Sequence, residues 1–286
     1  MSWAVVARKD FEDAVRSRML WGIVALFAGL IALSVFVPSL LSDDLSVITG
    51  YGVATEFAKT LVPITALVAA YLAIAGERES GSIKILLGAP HSRSDVTLGK
   101  LVGRSGVVVV GVVAGFLVAG AVGALVYGEL PVIKFLSVTA LTALLGVAFV
   151  GIAVGISAAT STRSRAMALA IGVFFVFALL WDLVSLGLTY LRTGSLPVPG
   201  ATVPAWQLLV ERLNPSAAFG QLVNSVLEAG SNAATGQAGG QAGGIAAQVS
   251  GPVPFYLQDW FMFVLLAAWV VVPVVLGHLR FQRTDL

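Results

Sequence analysis

The chain has 286 residues, of which 58% are apolar and only 11% are charged, and its formal net charge is +2. Soluble domains are about 45–50% apolar and about 25% charged, so this chain has too few polar side chains to cover a globular core. The composition excludes an ordinary soluble enzyme, a disordered protein and a nucleic-acid-binding protein. With no cysteine and only two histidines, we also expect that the chain alone binds no metal ion.

The first predicted element is an amphipathic helix over residues 2–18. Apolar residues recur there at helical spacing, and charged residues fill the opposite face. The apolar residues are Trp3, Val6, Ala7, Phe11, Ala14 and Val15. A helix of this kind lies in the membrane interface, with its apolar side at the acyl boundary. Two interpretations stay open: a simple membrane anchor, or an elbow that packs against a cytoplasmic partner.

Six apolar runs are long enough to cross a bilayer core, which needs roughly 20 helical residues. They cover approximately Leu20–Leu41, Phe57–Gly76, Val102–Tyr127, Ile133–Thr160, Met167–Tyr190 and Trp260–Leu279. Lys59 and Pro63 fall in the first turns of the second run, where a lysine can extend its amine to the interface and a proline is tolerated. The sequence therefore predicts an all-α polytopic membrane protein, with residues 1–286 forming a single domain of six transmembrane helices.

Basic residues indicate the orientation, since lysine and arginine concentrate on the cytoplasmic side of a membrane protein. If both termini are cytoplasmic, all but four of the 17 basic residues lie on that side. The four on the outer side are Lys59, Lys134, Arg192 and Arg212. We therefore expect a multi-pass protein of the cell membrane whose N- and C-termini are both cytoplasmic.

The segment between the second and third runs, residues 77–100, is dense in both charge and helical pattern. Ile83, Leu86 and Leu87 share one face of a short helix. Pro90 ends this helix, because proline disfavours helical geometry in the residue before it. An exposed apolar face of this kind favours a bound partner. The alternative is that the face rests on the N-terminal helix or on lipid.

The start of the third run carries a capping box and no nucleotide site. Ser92 and Asp95 have the spacing of a capping box for the next helix. A phosphate-binding loop needs G-x-x-x-x-G-K-[ST], but Ser94 replaces its first glycine ahead of Gly99–Lys100, and Leu101 replaces its final hydroxyl residue. The chain therefore lacks an ATP site of this type, and any ATP-driven motor must be another chain.

The segment between the fifth and sixth runs, residues 191–258, is predicted to be a long external loop. Apolar stripes indicate one helix after Pro204 and another over Phe219–Leu227, with a break at Asn214–Pro215 between them. Residues 229–251 are mostly Gly, Ala, Gln and Ser, which bury too little surface to offset the entropy of ordering. We therefore predict that this stretch is flexible.

Two features inside the predicted spans have more than one interpretation. Asp182 is the sole acidic residue well inside a predicted span. It lies near the outer end of the fifth run, so it either lines a transport pathway or sits among the outer headgroups. The glycine pairs Gly111–Gly115 and Gly151–Gly155 permit close packing of helices within the chain, and a dimer seam is the alternative.

Several residues of the segment 77–100 follow the pattern of a known family. They are Glu77, Glu79, Gly81, Ser82, Ile83, Leu86, Leu87, Pro90, Ser92, Arg93, Val96, Gly99 and Lys100. The segment resembles the first cytoplasmic loop of type-2 ABC transporter permeases, and the six-span plan and the N-terminal helix are also similar. Within that family, the chain most resembles the subgroup that includes the membrane subunit of nitrous-oxide-reductase maturation transporters, which Leu213–Pro215 and Phe219 also match.

The resemblance implies a non-catalytic permease that binds no cofactor, while a separate ABC ATP-binding subunit holds ATP and Mg²⁺. It also implies a second permease copy, identical or different, in contact with membrane lipid. A coupling helix at Gly81–Leu87 would contact the ATP-binding subunit, with the short turn 161–165 as a smaller contact. The residues expected at the main contact are Glu77, Arg78, Glu79, Gly81, Ser82, Ile83, Leu86, Leu87, Pro90 and Arg93.

Three functions stay open at this point. The first is an ATP-driven permease, more specifically an exporter. The second is an ATP-independent channel or secondary carrier, and the third is a non-transporting membrane scaffold. A secondary carrier often shows broken central spans and midplane charges. Here the predicted spans are nearly free of charge, whereas charge and helical pattern concentrate at the cytoplasmic edge. This distribution favours a driven permease with a lipid-like, hydrophobic or extruded substrate, or with a mechanical role.

Overall fold

The computed structural model describes residues 3–41, 46–83, 92–194, 202–228, 245, 248–249 and 251–284. Over these residues the chain is almost entirely helical, and its β contact there is an isolated bridge between Val203 and Val249. Six helices in this part of the chain are long and apolar enough to cross a membrane, as the sequence predicted. They are Trp21–Leu41, Val47–Glu79, Arg93–Tyr127, Val132–Ala159, Arg163–Thr193 and Asp259–Gln282.

The α-helices of the described residues follow one another from α1 to α11. They are α1 (Trp3–Val15), α2 (Arg18–Leu41), α3 (Val47–Ala70), α4 (Ala75–Glu79), α5 (Arg93–Tyr127), α6 (Val132–Ala159), α7 (Arg163–Phe175), α8 (Trp181–Thr193), α9 (Ala205–Arg212), α10 (Pro215–Glu228) and α11 (Asp259–Gln282). A π-helical turn at Val176–Leu180 joins α7 to α8, so that the three form one continuous fifth span. A 3-10 turn at Phe255–Leu257 precedes α11.

Helix α3 begins at Val47 rather than near Phe57, where the sequence pattern placed the start of the second span. Ser46 caps it by accepting a backbone hydrogen bond with its hydroxyl oxygen. The first turns contain several Gly and Thr residues, which lower the local hydropathy, yet Tyr51 in these turns is buried by tertiary packing. Lys59 therefore lies in the interior of the helix and not in its first turns.

Glycines allow close packing between the spans. Gly151 and Gly155 of α6 lie against the backbone of α11, where a Cβ at Gly151 would stand 2.6 Å from the carbonyl oxygen of Val270. Gly111 and Gly115 of α5 face side chains of α2. Both glycine pairs noted in the sequence therefore pack spans together within this chain.

The fifth span is the least enclosed of the six. Its buried residues are few and small, namely Ala166, Ala170, Ser185 and Thr189. Its large apolar residues face outward, and Leu179 and Leu183 have 59% and 62% of their surface exposed. A contiguous apolar surface of this kind is normally covered by lipid or by protein.

The N-terminal and C-terminal helices meet at the same end of the bundle. Arg93, in the first turn of α5, donates hydrogen bonds to the carbonyl oxygens of Gln282 and Thr284 at 2.9 and 3.0 Å. Trp3, at the start of α1, donates its backbone N–H to Asp95 Oδ1 at 3.1 Å. We call this the proximal end, and we call the opposite end of the bundle the distal end.

Helices α9 and α10 form a small unit at the distal end and match the two helices predicted within residues 191–258. Arg212, at the end of α9, donates to the carbonyl oxygen of Leu257 at 3.1 Å and to Gln221 Oε1 at 3.0 Å. Burial lowers the pKa of Arg212, although nearby carboxylates act in the opposite direction. The stretch 229–251, predicted to be flexible, lies mostly outside the described residues.

Candidate functional site

A cluster of four charged side chains, two of them buried and two half-buried, lies at the proximal end. Asp10 of α1 accepts a hydrogen bond from Lys100 Nζ at 2.8 Å, and Arg104 Nε lies 2.8 Å from the other carboxylate oxygen. Lys100 also bonds to Glu77 of α4. The side chains of Asp10 and Lys100 are only 3% and 8% exposed. Two carboxylates balance two cations, so the cluster ties α1, α4 and α5 together without net charge.

Glycines of α5 bring α1 close enough for this cluster to form. A Cβ at Gly99 would stand 2.5 Å from Val6 Cβ. A Cβ at Gly103 would stand 2.8 Å from the carbonyl oxygen of Ala7. A larger residue at either position would force α1 away. Val6 and Ala7 are buried in this contact, whereas Trp3, which belongs to the same predicted apolar stripe, remains 44% exposed.

Arg78 and Glu79, both expected at the partner contact, bond to other helices of this chain. Arg78 Nη1 donates to the carbonyl oxygen of Thr160 at 2.8 Å, and its guanidinium lies 5.7 Å from the ring centroid of Phe281. Glu79 Oε2 accepts a hydrogen bond from the backbone N–H of Arg163, in the first turn of α7. This position suits a carboxylate, because the first N–H groups of a helix lack helical partners.

Of the other expected contact residues, Arg93 and Ile83 contact other parts of this chain, and Gly81 forms a turn. Arg93 bonds to the end of α11, and its guanidinium lies 5.2 Å from the ring centroid of Phe281. Gly81 has a φ of +75°, and the exposed Ser82 follows it, so the chain turns sharply there. Ile83 is only 1% exposed and belongs to the core of this chain. Outside the described residues lie Leu86, Leu87 and Pro90.

These contacts make residues 77–83 and Arg93 a junction between helices. They bond α4 to α5 and to the junction of α6 and α7, and they bond the start of α5 to the end of α11. Charge-assisted hydrogen bonds are strong and directional, so a displacement at this junction would be passed to several helices. The arrangement is suited to transmitting movement. Among the described residues, no group of three or more His, Asp or Glu could hold a metal ion.

Asp182 lines a cavity of about 270 Å³ between α3, the fifth span and α10 of the distal unit. The basic Lys59 and the hydroxyls of Thr60 and Ser216 also line it, together with aromatic side chains. Asp182 itself is exposed at the edge of the fifth span. An acid and a base thus share one polar cavity, which is an arrangement that the spacing of the sequence did not predict.

Sequence reasoning did not find the buried cluster, although part of its signal is present. Asp10 lies between Ala7 and Ala14 on the apolar face of the first helix, at helical spacing. Lys100 and Arg104 stand at i and i+4 on one face of α5. A charged residue on an apolar face needs a partner. The sequence pattern does not identify that partner, because the two helices are remote along the chain.

Comparison with known proteins decides the family. A family model described as ABC-2 family transporter protein matches residues 4–286. This chain belongs to the ABC-2 family. It is similar to the probable ABC transporter permease protein NosY of Stutzerimonas stutzeri, with 32% identity over 285 residues and 97% of each chain covered. It is also similar to the probable ABC transporter permease protein NosY of Pseudomonas aeruginosa, with 30% identity over 288 residues and again 97% of each chain covered.

An ABC-2 permease is the membrane subunit of an ABC transporter, so this chain is a multi-pass membrane protein. The family implies association with an ATP-binding subunit and with another permease. The permease subunit is normally non-catalytic and binds no cofactor, because ATP hydrolysis takes place in the separate subunit. The resemblance to type-2 ABC transporter permeases, drawn from residues 77–100, is confirmed by these matches.

Proposed function

We propose that this ABC-2 permease is the membrane subunit of an ATP-driven exporter, and that movement of residues 77–100 drives its spans. The observation that carries the proposal is the bonding of residues 77–83 and Arg93 to α5, to α7, to α11 and to the end of α6. A segment that merely connected two spans would need only a few ordered residues. Here a displaced segment would move several spans together, which a switch of access between the two sides of the membrane requires.

The proximal end faces the cytoplasm in this proposal, and so do both termini. This end carries Arg78, Arg93, Lys100 and Arg104 in described positions. Basic residues concentrate on the cytoplasmic side of membrane proteins. Export is the direction of this proposal. Apart from Lys59 and Asp182, the middle parts of the spans carry almost no charge, which favours a hydrophobic or lipid-like substrate.

The ATP-binding subunit contacts a coupling helix that begins at the turn of Gly81. Leu86–Leu87 supplies the apolar anchor, since large apolar side chains that enter a partner groove carry most of the binding energy. Ile83 holds the start of this helix to the permease core, because its side chain is buried there. Arg78 and Arg93 fix the position of the helix through their bonds to α11 and to the end of α6.

A second copy of this chain covers the exposed face of the fifth span. Six spans form half of a transporter in this family plan, and two-fold dimers are the commonest assemblies of identical chains. The fifth span offers large exposed apolar residues beside small buried ones. Such a face is suited to pack against its own copy.

Co-purification with the ATP-binding subunit tests the coupling contact. The double substitution Leu86→Asp and Leu87→Asp places two carboxylates in the apolar contact. We expect at least a roughly tenfold loss of co-purified ATP-binding subunit, since apolar anchors of this kind dominate binding. Membrane insertion of the variant should be unchanged, because the substitutions lie outside all six spans.

Arg283→Asp is the matched control, since it adds a carboxylate at the same end of the molecule, beyond α11. We expect this variant to retain the ATP-binding subunit. Equal retention by the double variant would contradict the coupling contact. A wild-type chain that transports without any ATP-binding subunit would instead support the channel or secondary carrier, and a chain that transports nothing would support the scaffold.

A further inference from the structure

Two spans carry a backbone irregularity near the middle of their length. In α3, Pro63 has no N–H, so the carbonyl group of Lys59 lacks its helical donor. In the fifth span, the π-helical turn Val176–Leu180 changes the i→i+4 pattern to i→i+5 and displaces a carbonyl group from the regular ladder. At membrane depth a displaced carbonyl needs another partner, because lipid offers no hydrogen-bond donor there.

One short corner of the distal unit supplies both partners. Ser216 Oγ donates a hydrogen bond to the carbonyl oxygen of Lys59 at 3.2 Å. Asn214 Nδ2 donates to the carbonyl oxygen of Phe177, inside the π-helical turn, at 2.8 Å. Asn214 Oδ1 also accepts the backbone N–H of Ser216 at 2.9 Å, which fixes the two side chains relative to each other. We call residues 213–216 the distal corner.

The sixth span bonds to the same corner. Trp269 Nε1 of α11 donates to the carbonyl oxygen of Leu213 at 2.9 Å. The ring of Trp269 also packs edge-on against Phe177, with 5.1 Å between the ring centroids. Helix α3, the π-helical turn and α11 are therefore joined at one point by hydrogen bonds between neutral groups. Bonds of this kind are individually weaker than the charge-assisted ones of the proximal cluster.

The corner borders the polar cavity of about 270 Å³ that Asp182 lines. Asn214 and Ser216 form part of its wall, together with Lys59. When the corner moves away, water entering from this side can take over the two carbonyl groups. A bridging water is nearly as favourable as a direct hydrogen bond, so the contact can break and form reversibly.

We propose that Asn214 and Ser216 are positioning residues that latch the second and fifth spans together at this cavity. The latch opens when the transport cycle separates these spans at the distal end. This inference rests on the proposed function, since a transport cycle is what requires the distal end to open. Pro63 and the π-helical turn provide the flexible points, because a helix with an interrupted hydrogen-bond ladder bends there.

A single introduced thiol reports on the latch, since the chain has no cysteine of its own. Ala217→Cys places this thiol next to the corner, at a partly buried position that lines the cavity. The measurement is its rate of labelling by a membrane-impermeant maleimide on the full chain in liposomes. The rate rises when the corner leaves the spans, because the thiol then becomes exposed.

Asn214→Asp isolates one bond of the latch. The aspartate keeps the size of the side chain and the oxygen that accepts from Ser216, but it has no N–H for the carbonyl group of Phe177. We expect roughly fivefold faster labelling, which corresponds to the loss of one net hydrogen bond. Asn224→Asp, the same change on the exposed side of α10, should label at the original rate. Equal rates for the two variants would overturn the latch.

Pro63→Ala provides an independent readout of the second bond. Its new N–H can bond to the carbonyl group of Lys59, so the hydroxyl donor of Ser216 becomes redundant. Ser216→Ala should speed labelling roughly fivefold with Pro63 in place and should change it little in the Pro63→Ala chain. A Ser216 with a merely structural role would have the same effect in both backgrounds, and this result would also overturn the proposal.

Labelling with and without ATP distinguishes a failure of the latch from a failure of the proposed function. Addition of the ATP-binding subunit with ATP should speed labelling of Ala217→Cys, and Asn214→Asp should approach that faster rate without ATP. If ATP speeds labelling but the Asn214 and Ser216 variants do not, the latch is wrong and the ATP-driven permease stands. If the variants speed labelling but ATP does not, the hydrogen bonds are as assigned and the proposed function is overturned.

Discussion

Asp10 is a carboxylate held between two cations at a buried site, so removal of its charge should be costly. Asp10→Asn keeps the shape of the side chain but leaves Glu77 as the one carboxylate for two cations, Lys100 and Arg104, so the cluster carries one uncompensated positive charge. Loss of one partner from a buried ion pair costs about 3–5 kcal/mol of stability. We expect a clearly lower melting temperature for the purified variant in detergent, measured by thermal scanning fluorimetry.

Glu12→Gln is the matched control for this change, on the same helix. Glu12 pairs with Arg8 at 2.8 Å, and the hydrogen bond from Arg8 lowers the pKa of Glu12. Both side chains are exposed, however, and water and salt screen an exposed pair. We expect an unchanged melting temperature for Glu12→Gln. If Asp10→Asn melted at the same temperature as this control, the buried cluster would not stabilise the fold.

The residues of the buried cluster show why a sequence reveals only part of a site. Asp10 and Lys100 are 90 positions apart along the chain, and no local pattern relates them. Helical spacing places Asp10 on an apolar face, but the choice of Lys100 as its partner depends on how α1 docks on α5. That docking is a tertiary property, which depends on the close approach of α1 at Gly99 and Gly103 rather than on a local sequence pattern.

At the scale of helices, the docking of α1 depends on glycines of α5. Gly103→Ala would place a Cβ 2.8 Å from the carbonyl oxygen of Ala7, a backbone atom that cannot move without its helix. We therefore expect α1 to shift and to lose protection. Amide hydrogen exchange across Trp3–Val15 should become faster in this variant, while exchange in α6 stays as slow as before.

Gly172→Ala is the control for this helix contact. Gly172 lies in α7, and a Cβ there would meet nothing within 4 Å. Alanine also favours a helix over glycine by about 1 kcal/mol, so this change should leave the protection of α1 intact. Unchanged exchange of α1 in the Gly103→Ala variant would show that close approach at this glycine is dispensable.

Helices with strong local signals were predicted from the sequence, and those shaped by tertiary contacts were not. The apolar stripes predicted α9 and α10, and the capping box of Ser92 and Asp95 at the start of α5 is confirmed by its two hydrogen bonds. The start of α3 was missed because burial of Tyr51, rather than local hydropathy, stabilises its first turns. The π-helical turn was also missed, since its displaced carbonyl depends on the distant Asn214.

At the scale of the whole molecule, hydrogen bonds attach the fifth span at its proximal end and near its middle. Glu79 bonds to its first turn at the proximal end, and Asn214 bonds to its π-helical turn, midway between Arg163 and Thr193. Between these points its face is mostly exposed. A span held in this way can tilt as a unit when either attachment moves. This geometry places the fifth span between the proposed coupling segment and the proposed latch.

Cross-linking in the membrane tests whether a second copy covers that span. A single cysteine at Ile171 or Leu179, both exposed on the fifth span, should give a covalent dimer of this chain with a short thiol cross-linker. A cysteine at Val272 of α11 is the matched control, because its 51% exposure is close to the 48% of Ile171. We expect little dimer from this control, since symmetry brings only one face of each copy together. Equal cross-linking at all three positions would indicate random collision and contradict the dimer. A product of different mass would indicate that a different permease covers the fifth span. The absence of any product from Ile171 and Leu179 would mean that lipid covers it.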